Sequence, residues 1–369
     1  MATVQELRKQ ITDYINDPTL QASDLENVIS LLNKPMLEKF LQKWAEKKSL
    51  PPRLVENLST KLATTNKLTL EEKIEFVNDL ANGNNMLDFN AMIRNSHNKK
   101  VSIYNYIKSN KKKIANWVIE NYRDVVEAQL LGAPTNIGKG ELVMIILGGL
   151  SKPSKGDLQT SSEMIEVKEG GGAAMIPKRC IHPNKILSGM RNYIRSKHAD
   201  LAKLMPTRDS GGGEDTLAWY LSIQTRRTGN VFPLGELART NGISIESVRD
   251  VMQEYHDRVY AGSLRFDVKK YIQNDYKFKF NEYGEENFAS LFEGYRSEYG
   301  FTNLMYFNIG HGGGAKRYGG ETVYCIKNKS DAKAFWKKYG TLAFTGADTF
   351  GRAYGYGGSY SETKYRGTA

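Results

Sequence analysis

Apolar residues recur at helical spacing along the first part of the chain. Ile74, Val77 and Leu80, for example, are three residues apart and would lie on one face of a helix. Polar residues occupy the positions between them, and Gly83 follows where such a helix would end. Repeats of this kind predict an all-helical N-terminal domain over residues 1–130.

The pattern changes after Gly132. An apolar segment, residues 138–149, predicts a buried helix, and two short strand-like segments follow it at 157–159 and 164–168. The polar residues 160–163 between them predict a turn. The two strands are therefore expected to form a hairpin.

Side chains alternate between the two faces of a strand. Ile165 and Val167 would therefore share one face and reach the core, while Glu166 and Lys168 would share the other face and line a cleft. The hairpin partner would bring Asp157 beside Glu166. The pattern thus predicts two converging carboxylates with an ammonium group next to them.

The remainder of the chain mixes predicted helices and strands. A basic amphipathic helix is expected over residues 183–205, and a helix-turn-helix over 233–255, where Gly242 would form the turn. Strands are expected at 304–309 and 322–326. The sequence leaves open whether these late strands complete the same sheet or form a separate unit.

Basic residues outnumber acidic ones, with 52 Lys and Arg against 41 Asp and Glu, a formal net charge of +11. Such an excess favours a polyanionic partner, because each neutralised phosphate releases condensed counterions. A basic protein without such a partner is the alternative that charge leaves open. Two cysteines do not suffice for a disulfide framework, and no apolar run approaches the roughly 20 residues that span a bilayer. We expect a cytoplasmic protein that binds DNA and no membrane.

The predicted group of Asp157, Glu166 and Lys168 suits the hydrolysis of a phosphodiester. That reaction needs a hard cation, which neutralises charge on the phosphate and lowers the pKa of an attacking water. Mg²⁺ takes one or two carboxylates and fills its other positions with water and substrate oxygens. An amine can orient the water or offset charge in the transition state.

An acid-x-Lys triplet alone carries little information, since at least six others occur in this chain, Asp275 and Lys277 among them. The triplet that ends in Lys168 differs in having an acid before it across a predicted turn, and apolar residues on both flanks. The alternative for this segment is a surface hairpin with a cross-strand ion pair, worth less than about 1 kcal/mol.

The stretch resembles the active site of the PD-(D/E)XK, restriction-endonuclease-like, nuclease superfamily, and its surroundings are similar to phage-type members. In that family an Asp and an acid-x-Lys on adjacent strands bind the metal, and an acid on a preceding helix often joins them. The resemblance implies that Glu141, near the start of the apolar helix, is this third acid. Its alternative role is to complement the helix dipole. Before Asp157 the family's Pro is replaced by Gly156.

The resemblance implies an α/β fold with a restriction-endonuclease-like mixed β-sheet core flanked by helices and an N-terminal all-helical domain. The core would cover residues 131–275, including a helical insertion. Residues 276–369 would be a C-terminal mixed α/β segment with a Gly/Tyr-rich tail.

The same resemblance implies a DNA nuclease that depends on Mg²⁺, for which Mn²⁺ could substitute. Glu141, Asp157 and Glu166 would bind the metal, and Lys168 would serve the nucleophilic water. Were the chain phage-encoded, it would act in the host cell cytoplasm. A non-catalytic DNA-binding or phage assembly protein on the same scaffold is the alternative.

Basic residues around this stretch are predicted to contact the DNA backbone: Lys139, Lys178, Arg179, Arg191 and Arg195. The helix-turn-helix is either a further DNA contact or an ordinary packing unit. No nucleotide cofactor is expected, because the segment GAPTNIGKG lacks both the spacing and the final Ser or Thr of a P-loop.

Overall fold

The computed structural model describes residues 34–127, 137–153, 156–169, 178–181, 183–210, 214–223, 232–262, 266–308 and 322–339. Within these ranges the protein is mixed α/β, with a five-stranded mixed sheet flanked by helices. That much of the predicted fold class is confirmed. The three-part domain division stays a prediction, and the Gly/Tyr-rich tail lies outside the described residues.

Helices occur both before and after the hairpin. Numbered in chain order within the described ranges, they are α1 (Lys34–Lys47), α2 (Pro52–Thr64), α3 (Leu70–Asn82), α4 (Phe89–Asn95), α5 (Lys112–Glu127), α6 (Lys139–Gly148), α7 (Leu187–Lys197), α8 (Ala199–Leu204), α9 (Leu217–Tyr220), α10 (Pro233–Thr240), α11 (Ile245–Tyr260), α12 (Phe280–Tyr299) and α13 (Lys329–Tyr339).

The ends of α3 follow from its sequence. The Thr69 hydroxyl accepts a hydrogen bond from the Glu72 amide at 3.3 Å, and the Glu72 carboxylate accepts one from the Thr69 amide at 2.7 Å. This capping box satisfies two amides that have no partner inside the helix. At the other end Gly83 has a φ of +70°, a left-handed conformation that glycine adopts without a steric penalty. The predicted helix and its terminating glycine are both confirmed.

The strands form one sheet. In chain order they are β1 (Val101–Ser102), β2 (Leu158–Gln159), β3 (Met164–Glu169), β4 (Asn303–Asn308) and β5 (Thr322–Ile326), and their order across the sheet is β1-β5-β4-β3-β2. The pairs β2–β3 and β1–β5 are antiparallel. The two late strands therefore complete the sheet that contains the hairpin, which the sequence leaves open.

One strand, β1, comes from the region predicted to be wholly helical. Val101 pairs with Val323, and Ser102 pairs with Thr322. Val101 is buried and β-branched, so that it packs well on a sheet. Two residues are too few for periodicity to signal a strand, and the pairing partners are more than 200 residues away in sequence.

The predicted helix over residues 183–205 is also interrupted. A 3₁₀ turn at Pro183–Lys185 precedes α7, and α7 ends at Lys197. The next residue, His198, has a φ of −136° and a ψ of 64°, which lie outside the helical region. Beyond His198 the chain resumes as the short helix α8. The basic helix is therefore two helices separated by one residue.

Contacts divide the chain into two units, and the division falls within β3, between Val167 and Lys168. Unit 1 comprises residues 1–95, 101–167 and 309–323, and unit 2 comprises residues 96–100, 168–308 and 324–369.

The core of unit 1 contains α6. Its residues 142–147 are apolar on every side and at most 2% exposed. The last turn of α6 is fixed by hydrogen bonds from the Met86 and Leu87 amides to the Leu147 carbonyl, at 2.9 and 3.0 Å. Lys48 Nζ donates to the Gly149 carbonyl at 2.6 Å just beyond it. These bonds fix the position of α6 in unit 1, and they thereby fix the position of the residues in its first turn as well.

The core of unit 2 is aromatic. The rings of Tyr306 on β4 and Phe335 on α13 stack with centroids 4.5 Å apart, and Tyr324 on β5 meets Phe335 edge-on at 4.9 Å. A Cβ added at Gly284 on α12 would lie 2.0 Å from the Trp336 ring, so glycine permits the close approach of α12 and α13. These contacts fix the position of α12 within this unit.

None of the helices in the described ranges combines the length and the apolar composition that a bilayer-spanning segment needs.

Candidate active site

The predicted hairpin is present. Leu158 pairs with Ile165 and Gln159 with Met164, and the Asp157 amide donates to the Ile165 carbonyl at 3.3 Å. The turn between the strands is closed by Thr160, whose hydroxyl accepts hydrogen bonds from the amides of residues 162 and 163 at 3.2 and 2.9 Å. The two strands agree with the predicted ones to within one residue, since the sequence predicts 157–159 and 164–168.

The Asp157 side chain is fixed across the hairpin. Its Oδ2 atom accepts a hydrogen bond from the Val167 amide at 2.8 Å, which aligns the carboxylate with β3. Before it, Gly156 has a φ of +78°. Proline, with φ locked near −65°, could not adopt this conformation, which explains why glycine occupies the position where the resembled family has Pro.

Glu166 is more buried than the sequence suggests. It is 3% exposed, and its neighbours Ile165 and Val167 on the opposite face are 0% and 7% exposed. The cleft that Glu166 and Lys168 are expected to share stays a prediction, and Glu166 itself is buried. Strand β3 lies inside the sheet, between β4 and β2, and its residues 165–167 are buried on both faces.

Glu141 stands in the first turn of α6 and is 8% exposed. Its Oε1 atom accepts a hydrogen bond from the Gly138 amide at 3.1 Å, so the carboxylate does cap the helix. Its Oε2 atom is buried and accepts no hydrogen bond from the described residues; Lys152 Nζ lies 3.7 Å from it. One oxygen of Glu141 is thus used by the helix and the other is directed to an ionic partner.

The three acids are close enough to influence each other. Burial raises the pKa of Glu141 to about 7, and the negative charges of Asp157 and Glu166 act in the same direction. The Gly138 hydrogen bond and the positive charge of Lys152 oppose this shift without cancelling it. The Glu141 carboxyl group is therefore about half protonated near neutral pH. The negative charges around it outweigh the positive charge of Lys152.

The residues around Glu141 offer oxygen ligands to a cation. A buried carboxylate oxygen without a hydrogen bond, near two further carboxylates, has the chemistry that Mg²⁺ or Mn²⁺ prefers. In the part of the chain that the structure describes, no three His, Cys, Asp or Glu side chains are grouped tightly enough to hold a metal ion by themselves. Mg²⁺ is commonly held by one or two carboxylates with waters, so the donor set fits that ion.

Lys168 follows Glu166 by two residues on β3, and its side chain is held by an aromatic residue. Its Nζ atom donates to Tyr295 Oη at 3.2 Å and lies 5.1 Å from the centre of the Tyr295 ring. Tyr295 is on α12, 127 residues later in the sequence.

Lys152 is a further cation at this site that the sequence does not indicate. Its side chain is 19% exposed, and it contacts Glu141 because residue 151 bridges to β2: the Gln159 amide donates to the Ser151 carbonyl at 2.9 Å. An isolated bridge of this kind has no periodic signature. A lysine four residues after the apolar helix is the one hint that the sequence contains.

The predicted DNA contacts differ in their surroundings. Arg191 is mostly buried and bonds to Asp209 and to the Pro206 carbonyl, so its side chain ties α7 to the segment after α8. Contact of Arg191 with DNA stays a prediction, and it would require the side chain to give up these internal hydrogen bonds. Arg179 and Arg195 are exposed.

Lys178 is exposed but tethered to α12. Its backbone amide donates to the Glu298 carboxylate at 2.6 Å, and its Nζ atom lies 4.9 Å from the centre of the Tyr299 ring. The side chain of Lys139 lies outside the described part of the structure.

The predicted helix-turn-helix is present as α10 and α11. Ala238 and Val248 are fully buried, and Gly242 has a φ of +66° in the turn. Arg249, the basic residue near the start of α11, donates to the Ile272 carbonyl and to Asn274 Oδ1, both at 2.8 Å. Its guanidinium is therefore used within the protein, and contact of this motif with DNA stays a prediction.

The chain matches no protein-family model, and neither the curated proteins nor the solved structures contain one that is detectably similar to it. The resemblance to the restriction-endonuclease-like nucleases therefore depends on the hairpin motif and on Glu141.

Proposed function

We propose that this protein is a Mg²⁺-dependent DNA nuclease, cutting internally, with a restriction-endonuclease-like core. The observation that supports the proposal best is the buried Glu141 oxygen that lacks a hydrogen bond and faces the charges of Asp157 and Glu166. Burying a carboxylate without compensation is costly, so buried acids are normally paired or coordinate a metal. Such costly groups cluster where function requires them.

A surface ion pair does not account for these acids. The alternative of an exposed hairpin with a cross-strand ion pair requires exposed side chains, but Glu166 is 3% and Glu141 8% exposed. Lys152 provides one positive charge near Glu141. Acids that are buried together near one ammonium group favour the binding of a divalent cation.

In the proposed reaction Glu141, Asp157 and Glu166 would hold the cation together with water and substrate oxygens. When bound, the cation would neutralise charge on the phosphate and lower the pKa of the attacking water. Asp157 is oriented for its part by the Val167 amide, and Glu141 is oriented by the Gly138 amide, so neither carboxylate has to be ordered when substrate binds. Lys168 offsets negative charge at the phosphate or orients the water.

DNA is the proposed substrate because the chain carries a net charge of +11 and exposes cations near the hairpin in sequence. Arg179 and Arg195 are exposed, so a phosphate can approach their guanidinium groups. Contacts of this kind add affinity without reading sequence.

A plasmid nicking assay with Mg²⁺ tests the proposal. We expect the wild-type protein to convert supercoiled to nicked DNA, and Asp157→Asn and Lys168→Ala to lose this activity. The matched control is Lys277→Ala, because Asp275 and Lys277 have the same acid-x-Lys spacing but form an exposed pair at 2.7 Å. A Lys168→Ala protein that nicks as fast as the control would end the proposal.

A second function, non-catalytic DNA binding, is favoured by two observations. Lys152 already partly compensates Glu141, and no three acids in the described ranges form a ready cage for a metal. A scaffold that binds DNA without cutting would show a steep salt dependence of affinity and no cleavage with Mg²⁺ or Mn²⁺. Measuring both on one preparation separates the two functions.

A further inference from the structure

Tyr295 contacts Lys168 in two distinct ways. The hydroxyl accepts a hydrogen bond from Nζ at 3.2 Å, and the ring lies below the same ammonium group, with 5.1 Å between Nζ and the ring centre. A hydrogen bond fixes the direction of the amine, and an aromatic face attracts a cation without fixing its rotation. Together they restrict a lysine side chain that would otherwise have many rotamers.

Tyr295 is itself held rigidly. It is 6% exposed, and its ring packs against Tyr299 at 4.4 Å and against Phe301 at 5.7 Å between centroids. It projects from α12, the twenty-residue helix that packs in the core of unit 2. A ring fixed on two sides by other rings gives the hydroxyl a defined position.

A second lysine, Lys178, has a related contact with a tyrosine of α12. Lys178 Nζ lies 4.9 Å from the centre of the Tyr299 ring, one helical turn after Tyr295. Each of the two tyrosines thus has a lysine ammonium group beside its ring, which makes Tyr299 a matched comparison for Tyr295.

We propose that Tyr295 is a positioning residue for Lys168, holding the ammonium group at the end of β3 in one orientation. The inference rests on the proposed function, since it assigns to Tyr295 the task of orienting the lysine of that reaction. An ammonium group has three N–H donors, so the bond to Tyr295 leaves two for other partners. Lys168 is thus oriented before DNA binds, and the entropy of ordering it is not lost in the reaction.

The closing experiment compares Tyr295→Phe with Tyr299→Phe, which removes the same atom from the neighbouring ring. Reductive methylation of lysines is followed residue by residue by mass spectrometry, with EDTA present and without DNA. We expect Lys168 to react about threefold to tenfold faster in Tyr295→Phe, as loss of one hydrogen bond implies, and at the wild-type rate in Tyr299→Phe. Lys178, labelled in the same samples, serves as the internal reference.

Nicking kinetics give the second readout. For Tyr295→Phe we expect kcat to fall about threefold to tenfold with KM unchanged, because only the orientation of Lys168 changes. Equal labelling of Lys168 in wild type and Tyr295→Phe would overturn the inference, as would a loss confined to KM. If wild type fails to nick DNA but Lys168 labelling still depends on Tyr295, the proposed nuclease fails and the anchoring of Lys168 stands.

Discussion

The Asp157 carboxylate accepts a hydrogen bond from the Val167 amide at 2.8 Å, across the hairpin of β2 and β3. The side chain that would bind a metal therefore also closes the hairpin that presents it. The charge of Asp157 serves metal binding in the proposed reaction, and its hydrogen bond stabilises the hairpin. Different substitutions remove one or both.

We expect Asp157→Asn to keep the fold and lose nicking activity. The Asn side-chain oxygen can still accept from the Val167 amide, but it brings no charge to a cation. Asp157→Ala should also lose stability, by roughly 1–2 kcal/mol, because the amide is left without its acceptor. Urea denaturation of both variants measures this difference. Equal stability of Asn and Ala variants would show that the hydrogen bond contributes nothing.

Glu141 should make stability depend on pH. Its pKa is raised to about 7 in the folded protein, above the ordinary value of 4.5, so the folded state keeps a proton that the unfolded chain releases. The contribution of Glu141 to the free energy of unfolding is fully present below pH 4.5. It is lost as pH rises through 7, by about 3 kcal/mol in total.

Glu141→Gln tests this, since glutamine does not titrate. The free energy of unfolding, measured without divalent ions, should fall less between pH 4.5 and 7 in the variant than in wild type. Above pH 7 the variant should be the more stable protein. Parallel pH profiles for the two proteins would contradict the assignment.

The sequence predicted the local parts of this site well. The hairpin, the helix that carries Glu141 and the capping position of that residue depend on neighbours within a few residues, and alternation or helical spacing indicates them. Such features are encoded where they occur in the chain.

The non-local parts could not be predicted. Strand β4, which lies beside β3 in the sheet, comes about 140 residues later in the chain. Tyr295 contacts Lys168 from 127 residues away, and no spacing rule connects them. Lys152 approaches Glu141 through a single bridge. Each depends on which element packs beside the hairpin, and periodicity within one segment contains no information about its neighbours.

Removing Lys152 should strengthen the binding of Mg²⁺. Its ammonium group lies 3.7 Å from Glu141 Oε2 and repels a cation bound to the same oxygen. We expect Lys152→Met to lower the dissociation constant of Mg²⁺ about fivefold, equivalent to roughly 1 kcal/mol. Isothermal titration calorimetry measures it, with Lys203→Met, an exposed lysine paired to Asp200 at 3.1 Å, as the control. Weaker binding in Lys152→Met would mean that this lysine supports the metal site.

Arg191 and Arg195, both predicted to contact DNA, should respond differently to alanine. Arg191 bonds to Asp209 and the Pro206 carbonyl, and its loss should cost roughly 1.5–3 kcal/mol of stability. Arg195 is exposed, and its loss should change stability by less than about 0.5 kcal/mol. Arg195→Ala should instead reduce the slope of log affinity against log salt by about 0.9 on duplex DNA. An unchanged slope would remove Arg195 from the DNA contacts.

His256 should make the protein sensitive to acid. The ring is 5% exposed and packs between Tyr260 and Phe266, at 4.3 and 4.9 Å between centroids. Burial lowers the pKa of His256 to about 3, and a smaller effect of Asn287 opposes it. Between pH 6.5 and 3, His256 therefore remains neutral in the folded protein but takes up a proton in the unfolded chain. The associated free energy of unfolding is present above pH 6.5 and is lost as pH falls towards 3, by on the order of 5 kcal/mol.

His256→Phe isolates this contribution, because phenylalanine keeps an aromatic ring among the same neighbours and does not titrate. The difference in unfolding free energy between variant and wild type should grow in favour of the variant as pH falls from 6.5 to 4. Chemical denaturation at several pH values measures it, with near-ultraviolet circular dichroism verifying that the aromatic packing is retained. A constant difference across this range would mean that His256 is already protonated or accessible to water in the folded protein.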